Sequence, residues 1–431
     1  MRRMLRAAAA AVVAAVGAAL VLSTPAGALP RLPDTSQEYW FVSWDIANVW
    51  SWGARGQGVI VAVLDSGVQA SRPELAGVVL PGTDLVGGDG RTDIDSPRGH
   101  GTAMAYLIAG QGGVNRLVGI APEAKLLPVT LYAPGAPRFD RAVADGIRYA
   151  VDHGAKVISI AQEAPIRDFE NGCPRQALDA VRYAVDNGAV IVSAAGNEGN
   201  TTNEPLFPSS CPGVVVVGAV NGTKHIWPKS QRQPYVDVAA LGVQMHSQNL
   251  AGQVGTSNGT SDAAALVSGA VALVWSKLPR LTNRQVVARL LATVTDDADL
   301  PGKDNATGYG IVRPDDAIKT NVPANAPNPI FDELDRLHPT SATPAAPAPT
   351  AAPSTPEGGG TGGPSGTASA GDKGTSLPVL VGAGLGAVAA VAGLVAFVTT
   401  RRRRAPAGPP PDGSTWPPMG PPGGPSGWPP R

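Results

Sequence analysis

The stretch "RAVADGIRYAVDHGAKVISIA", residues 141–161, changes its hydrophobic pattern at a glycine. Up to His153 the apolar residues recur every three or four positions, as on one face of a helix, and after the glycine they follow one another closely, as in a buried strand. Residues 175–196, "RQALDAVRYAVDNGAVIVSAAG", repeat this order. Because glycine is the residue that most often ends a helix, each stretch predicts a helix that ends near the glycine and leads into a strand.

Further Val- and Ile-rich runs show that this alternation extends over much of the chain. They are "VIVAVLD" at 59–65, "KLLPVTL" at 125–131 and "GVVVVGAV" at 213–220. Short buried strands that alternate with helices indicate βαβ crossovers, in which helices cover both faces of a parallel sheet. We therefore predict one α/β domain at residues 58–322, with three layers and a mostly parallel central sheet.

The N-terminal sequence and the cysteines indicate a protein that leaves the cytoplasm. Residues 1–28 have the basic start, apolar stretch and small-residue cleavage site of a secretory signal peptide, with an uncleaved anchor as the alternative. Residues 29–57 are rich in aromatic residues and are predicted to form an arm packed on the main domain. In a secreted chain two cysteines, Cys173 and Cys211, favour a disulfide, and two buried free thiols are the alternative.

The composition changes after residue 322. Residues 323–375 are rich in Pro, Ala, Thr, Ser and Gly, bury too little apolar area to fold, and are predicted to be a disordered linker. Residues 376–400 carry no charge and, at about 1.5 Å per residue, are long enough to cross a hydrocarbon layer about 30 Å thick as one transmembrane helix. Four arginines follow at once, which predicts that residues 401–431 are a cytoplasmic tail and that the domain lies outside the cell membrane.

The overall charge gives no support to a nucleic-acid partner. The formal net charge is zero and the pI is about 7.0, so no overall positive field attracts nucleic acid. The two cysteines and five histidines lack the spacing of metal ligands, and we expect neither a metal nor a cofactor. Asp89, Asp93 and Asp95 form an acidic cluster, which we interpret as a solvated loop rather than a calcium site.

Polar residues stand at three junctions between apolar segments. Asp65 ends the run "VIVAVLD", His100 lies between two glycines at the start of an apolar helix, and Asn197 ends the strand in "VSAAGN". Alone, each has an ordinary structural explanation as a cap, a core histidine or a turn asparagine. The carboxyl ends of parallel strands are, however, where open α/β sheets bind ligands, and all three residues fall at such ends.

The tripeptide Gly-Thr-Ser occurs twice, ending at Ser257 and at Ser261. A turn dipeptide, Asn-Gly, follows Ser257, whereas an uninterrupted apolar helix follows Ser261. A serine at a helix start lies in the positive end of the helix dipole, where backbone N–H groups stabilise an oxyanion. Ser261 is therefore the candidate nucleophile, with Asn197 as a side-chain donor to the oxyanion. In this arrangement His100 is the general base and Asp65 orients it.

These motifs, in this order, resemble the subtilisin-like serine proteases. "VLDSG", "GHGT", "AAGN" and "NGTS" stand where that family has its aspartate, histidine, oxyanion asparagine and nucleophile. The resemblance covers residues 58–318 and implies a subtilisin-like fold and the cleavage of protein or peptide substrates. The whole layout, from signal peptide and short arm to linker, single span and basic stop, is most similar to the mycosins, the membrane-anchored proteases of bacterial type VII secretion. That similarity implies a location on the outer face of the cell membrane and association with the secretion complex.

The chain departs from the family pattern at three places. Four residues after the nucleophile the family usually has proline, and this chain has Ala265. Six residues after the histidine the family usually has glycine, and this chain has Tyr106. The strand that pairs with the substrate backbone usually reads Ser-Leu-Gly; here it is "SIAQEA", in which Ser159, Ile160 and Ala161 are the candidate substrate-strand residues. Two functions follow: a membrane-anchored extracytoplasmic serine endopeptidase, or a protease-like structural subunit that stabilises a secretion complex with little or no turnover.

Overall fold

The structure, a computed structural model, covers most of the predicted domain and the adjoining part of the N-terminal arm. The residues described are 38–86, 91–95, 97–113, 115–131, 139–166, 172–295 and 302–338. Within these segments no helix combines the length and apolar character needed to cross a membrane. The predicted signal peptide, transmembrane helix and cytoplasmic tail lie outside the described residues.

A sheet of seven strands forms the middle layer of the domain. The strands of the described residues are β1 (Ile60–Asp65), β2 (Thr83–Asp84), β3 (Gln111–Gly112), β4 (Leu117–Val118), β5 (Lys125–Thr130), β6 (Val157–Ile160), β7 (Ala164–Pro165), β8 (Val190–Ala194), β9 (Leu206–Phe207), β10 (Val214–Val220), β11 (Val238–Leu241), β12 (Val243–Gln248) and β13 (Val254–Asn258). Neighbours in the large sheet follow the order β11-β10-β8-β6-β1-β5-β2, and each pair in it is parallel. The predicted strands and the parallel sheet are confirmed.

The helices cover the sheet in two groups. Those of the described residues are α1 (Tyr39–Ser43), α2 (Ile46–Ser51), α3 (His100–Ala109), α4 (Phe139–Asp152), α5 (Arg175–Asp186), α6 (Thr260–Lys277), α7 (Asn283–Leu291), α8 (Pro314–Lys319) and α9 (Pro329–Leu337). Helix α3 packs on α6, and α4 packs on α5. Adjacent residues of a strand point to opposite faces of the sheet. On β1, Leu64 lies against α4 at Gly146 and Asp65 lies against α3 at Gly101, so the two helix pairs cover opposite faces. The domain therefore has three layers.

Helix α6 is the centre of one helical layer. Its residues 260–275 are all buried, as an apolar pattern on every side of a helix requires. It contacts α3 and the strands β6, β8, β10 and β11. An added Cβ at Gly269 would lie 2.1 Å from Cγ2 of Ile120, so glycine permits the close packing there. This burial holds the first turn of α6 in a fixed position at the edge of the sheet.

The described part of the N-terminal arm, residues 38–57, packs on the domain, as the sequence predicts. Trp40 and Trp44 are 0% and 2% exposed. The indole N–H of Trp50 donates to the carbonyl oxygen of Ile120 at 2.9 Å. Because buried tryptophans remove large apolar areas from water, residues 38–52 contribute to the core of the domain.

The predicted start of the linker at residue 323 is wrong. Helix α9 lies beyond it, and its Ile330 and Phe331 are 5% and 0% exposed. The side chain of Asn328 caps the helix by accepting from the N–H of Phe331 at 3.2 Å. The average composition of a Pro-rich segment concealed this short amphipathic helix, and the folded domain continues to residue 338.

Candidate active site

The carboxyl ends of three neighbouring strands form the rim of the candidate site. Strand β1 ends at Asp65, β6 leads into Ala161, and β8 leads into Asn197. Strand β6 lies between the other two and is in parallel register with both. Because parallel strands end at the same edge of a sheet, these residues meet at one place, where α/β sheets bind their ligands.

The structure brings two of the candidate catalytic residues into direct contact. Nδ1 of His100 lies 2.9 Å and 3.0 Å from the two carboxylate oxygens of Asp65. His100 begins α3, which approaches β1 so closely that a Cβ at Gly101 would lie 2.2 Å from the carbonyl oxygen of Gly67. Glycine after the histidine therefore allows the contact. With Nδ1 donating to the carboxylate, Nε2 is the basic nitrogen of the ring.

Asp93 is buried beside this pair, so its interpretation as part of a solvated loop is wrong. It is 3% exposed, and its carboxylate accepts from the N–H and the hydroxyl of Thr102 at 2.8 and 2.6 Å. It also accepts from the hydroxyl of Ser66 at 2.9 Å. These donors compensate the burial of a carboxylate, which here caps α3. Asp95 accepts from a backbone N–H at the start of the same helix, and Asp89 lies outside the described residues.

Gln162 belongs to the site, although the sequence analysis did not single it out. Its Nε2 donates to Oδ1 of Asp65 at 2.9 Å and lies 3.1 Å from Nδ1 of His100. The backbone N–H of Ser66 donates to the same carboxylate oxygen at 2.7 Å. The buried carboxylate is thus well supplied with donors. The sequence signal for Gln162 is its place just after β6, where a polar side chain reaches the same rim.

Ser261 is the second residue of α6 and is 5% exposed. Its hydroxyl donates to the carbonyl oxygen of Ala161 at 3.3 Å. The described residues include no hydrogen bond between this hydroxyl and His100. The structure thus joins the candidate base, His100, to its carboxylate. It places the candidate nucleophile at the same rim, where the hydroxyl is hydrogen-bonded to Ala161 and not to the base. Ser257, predicted to be a loop residue, lies on β13 and donates to Asp262 at 2.8 Å.

Asn197 is held by the residue that precedes Ser261. Its side-chain oxygen accepts from the N–H of Thr260 at 2.9 Å and from the Thr260 hydroxyl at 3.1 Å. Because the oxygen is engaged in this way, the side chain offers its NH₂ group as a donor next to the first turn of α6. A side-chain donor beside backbone N–H groups is the arrangement that stabilises an oxyanion.

Buried carboxyl groups surround the imidazole. Burial opposes the imidazolium charge, but the carboxylate of Asp65, with two further acids, raises the pKa of His100 to about 9. Burial likewise opposes ionisation of Asp65, yet the contact with His100 holds its pKa below the ordinary value. The further acids are Asp262 and Glu163, and burial raises their pKa values to about 7 and about 8. The site therefore favours a positive charge at its centre.

The prediction of the substrate strand is wrong for Ser159 and Ile160. Both lie in β6, which is paired with β1 on one side and β8 on the other, and they are 2% and 0% exposed. A strand inside a sheet has no free edge to which an extended peptide could add. The chain leaves the sheet after Ile160, so Ala161 and the residues up to Glu163 are the segment that remains for a substrate backbone.

The two other departures from the family pattern are accommodated by local packing. Tyr106 is 3% exposed, and its hydroxyl accepts from Nε of Arg72 at 3.2 Å. Ala265 is fully buried in α6, which begins at Thr260 without a proline in its first turns. Neither change removes a group that the candidate site uses.

A disulfide joins Cys173 and Cys211, as predicted. It connects the segment before α5 to the loop before β10. Strands β7 and β9 pair in the same region, with Ala164 opposite Phe207. The disulfide and this short ladder therefore brace the segments that follow the rim of the site.

Comparison with known proteins identifies the family. The profile of the subtilase family matches residues 56–310, and the chain belongs to this family of peptidases. Subtilisin E of Bacillus subtilis (strain 168) is 35% identical over 248 residues, which are 57% of this chain and 62% of the relative. The chain therefore spans less than two thirds of the length of this relative.

Solved structures of mycosins share the fold. MycP1 from Mycobacterium smegmatis matches with a TM-score of 0.58 and 29% identity, over 70% of this chain and 88% of that one. The MycP3 protease from the type VII (ESX-3) secretion system matches with a TM-score of 0.58 and 32% identity, over 69% of this chain and 90% of that one. The resemblance to subtilisin-like proteases, and to mycosins among them, is confirmed.

Proposed function

We propose that this protein is a serine endopeptidase that cleaves protein substrates through an acyl-enzyme on Ser261. The observation that carries the proposal is the hydrogen bond between His100 and Asp65 at the rim where α6 presents Ser261. Membership of the subtilase family supports the same chemistry. In free enzymes the bond between nucleophile and base is often loose and tightens when substrate binds.

In the proposed mechanism Ser261 turns its hydroxyl from the carbonyl of Ala161 to Nε2 of His100. As Oγ attacks the substrate carbonyl carbon, its proton passes to Nε2, and Asp65 stabilises the imidazolium. The oxyanion accepts hydrogen bonds from the side chain of Asn197 and the backbone N–H of Ser261. The C–N bond then breaks, the leaving amine takes the proton from His100, and water hydrolyses the ester by the same steps.

A fluorophosphonate probe tests this proposal, because it reacts with activated serines. We expect the full-length protein in detergent to be labelled at Ser261 and the Ser261→Ala variant to remain unlabelled. Ser257→Ala is the matched variant from the other Gly-Thr-Ser tripeptide, and it should keep the label on Ser261. A protein that is folded by circular dichroism but unlabelled would favour the structural subunit of a secretion complex instead.

The raised pKa of His100 predicts that, as the pH is lowered, activity begins to fall well above pH 6.5, the ordinary pKa of a histidine. Below its pKa the imidazole is protonated and cannot accept the serine proton, so kcat/KM rises with pH until the pKa, about 9, has been passed. Asp262→Asn removes an acid that raises this pKa and should move the midpoint to lower pH. The measurement is kcat/KM against pH with an uncharged peptide. The control is Asp145→Asn, an exposed position on α4; a wild-type midpoint near 6.5 would contradict the prediction.

We also propose that residues 376–400 anchor the domain on the outer face of the cell membrane, with residues 401–431 in the cytoplasm. The uncharged span followed by four arginines supports this orientation. Similarity to MycP1 and MycP3 supports a type VII secretion complex as partner and secreted proteins as substrates. Protease added to intact spheroplasts should digest the domain and spare an epitope on the tail; loss of the epitope first would reverse the orientation.

A further inference from the structure

Two acidic side chains lie beside the candidate nucleophile and have no part in the proposed bond-breaking steps. Glu163 is two residues beyond Ala161, whose carbonyl accepts from Ser261. Glu198 directly follows Asn197, and its Oε2 accepts from the backbone N–H of Asn197 at 3.0 Å. Glu163 therefore lies in the segment that follows β6, and Glu198 lies in the segment that follows β8. These two segments border the nucleophile, one on each side.

Neither carboxyl group forms a salt bridge within the described part of the chain, and the imidazolium of His100 acts on Glu163 only as a nearby charge. Oε1 of Glu163 is buried and accepts no hydrogen bond. Burial and the nearby charge of Glu198 raise the pKa of Glu163 to about 8, because neighbouring carboxylates disfavour each other's ionisation. A ligand that brought a positive charge and N–H donors would relieve both the repulsion and the missing hydrogen bond.

A buried amide adds a third acceptor to this region. Gln231 is 0% exposed, and its Nε2 donates to Oε2 of Glu198 at 3.2 Å, while its Oε1 has no partner. The amide lies against Gly196, since an added Cβ there would be 2.8 Å from Nε2 of Gln231. A buried acceptor without a hydrogen-bond donor destabilises the folded protein. Two buried oxygens in this region, Oε1 of Glu163 and Oε1 of Gln231, thus lack a hydrogen-bond donor.

We propose that Glu163 and Glu198 select lysine or arginine at the substrate residue that supplies the scissile carbonyl. The inference rests on the proposed peptidase function and adds the class of substrate. With that carbonyl oxygen on Asn197 and the substrate backbone along residues 161–163, the side chain of the same residue begins between the two acids. An ammonium or guanidinium group supplies charge and several donors, whereas an apolar side chain leaves Oε1 of Glu163 without a donor and the two acids without a neutralising charge. An acidic side chain meets repulsion, which sharpens the selection.

Peptides that differ at this one residue test the proposal. Lysine is compared with norleucine, which has nearly the same length and no charge. We expect the wild-type kcat/KM to favour lysine by on the order of 100-fold, since one partner of a charge pair is missing with norleucine. In the Glu163→Gln/Glu198→Gln variant the ratio should fall to near one. Glu123→Gln, a solvent-exposed acid paired with Arg55, is the matched control and should keep the wild-type ratio.

Fluorophosphonate labelling of the same preparations separates the two ways to fail. If the wild-type protein is labelled at Ser261 but cleaves the norleucine peptide as fast as the lysine peptide, the charge selection is overturned and the peptidase proposal stands. If the folded wild-type protein is not labelled, both proposals fall. The wild-type ratio of kcat/KM for the lysine and norleucine peptides tests the charge selection even if the double variant does not fold.

Discussion

Replacing Asp65 with asparagine is expected to lower kcat by about four orders of magnitude, the size of effect known for this change in a Ser-His-Asp peptidase of another fold. The carboxylate accepts from Nδ1 of His100 at 2.9 Å and so keeps Nε2 as the basic nitrogen. Asparagine presents an NH₂ group to the ring, which favours the opposite tautomer, and it carries no charge to stabilise the imidazolium. Steady-state kinetics with a peptide substrate measure the loss, and KM should change little.

A surface aspartate provides the control for this experiment. Asp145 is exposed on α4 and pairs with Arg141 at 3.4 Å, an ion pair of small energetic value. Asp145→Asn should leave kcat within about twofold of wild type. Near-UV circular dichroism must show that the Asp65 variant is folded, because its carboxylate is buried. A folded Asp65→Asn protein that loses less than tenfold in kcat would remove Asp65 from the mechanism.

Replacing Asn197 with leucine should lower kcat by about 10²–10³ with little change in KM. The developing oxyanion loses a side-chain donor, and this interaction is stronger in the transition state than in the bound substrate. Single-turnover kinetics with the lysine peptide separate the acylation step from substrate binding. A variant that raises KM and keeps kcat would show that Asn197 binds the substrate and does not stabilise the transition state.

Two further variants distinguish the lost donor from a disturbed helix start. Thr260→Val removes one of the two groups that hold the Asn197 oxygen and keeps the backbone N–H, so the loss in kcat should be much smaller. Asn187→Leu changes an exposed asparagine at the end of α5 and should have no kinetic effect. If Thr260→Val loses as much as Asn197→Leu, the orientation of the first turn of α6 is the cause.

Hydrophobic periodicity located the helices and strands of the domain because it is a local property of the chain. The helix predicted to end at His153 is α4, Phe139–Asp152, and the strand that follows it is β6. The short apolar runs form the central strands of the sheet. Both faces of such a strand are covered, so its sequence shows no alternation of polar and apolar residues. Helix α9 was missed because its pattern is brief and lies inside a segment of biased composition.

Burial and pairing at the rim were less predictable. Asp93 reads as a loop residue, yet Thr102 and Ser66 supply the donors that allow it to be buried. Ser159 and Ile160 match the expected position of a substrate strand, but β6 has a neighbour on each side. Whether a backbone edge is free depends on strands that are far away in the sequence, and no local pattern contains that information.

The sequence by itself determined the α/β class, the order of the motifs and the residues most suited to catalysis, since periodicity, helix starts and residue chemistry are read over short distances. The tertiary structure alone decided which donors satisfy Asp65, that Ser159 and Ile160 are enclosed between two strands, and that the charge of Glu198 acts on Glu163. These features arise from the register of parallel strands and the packing of α6 against them, and each joins residues that are remote along the chain.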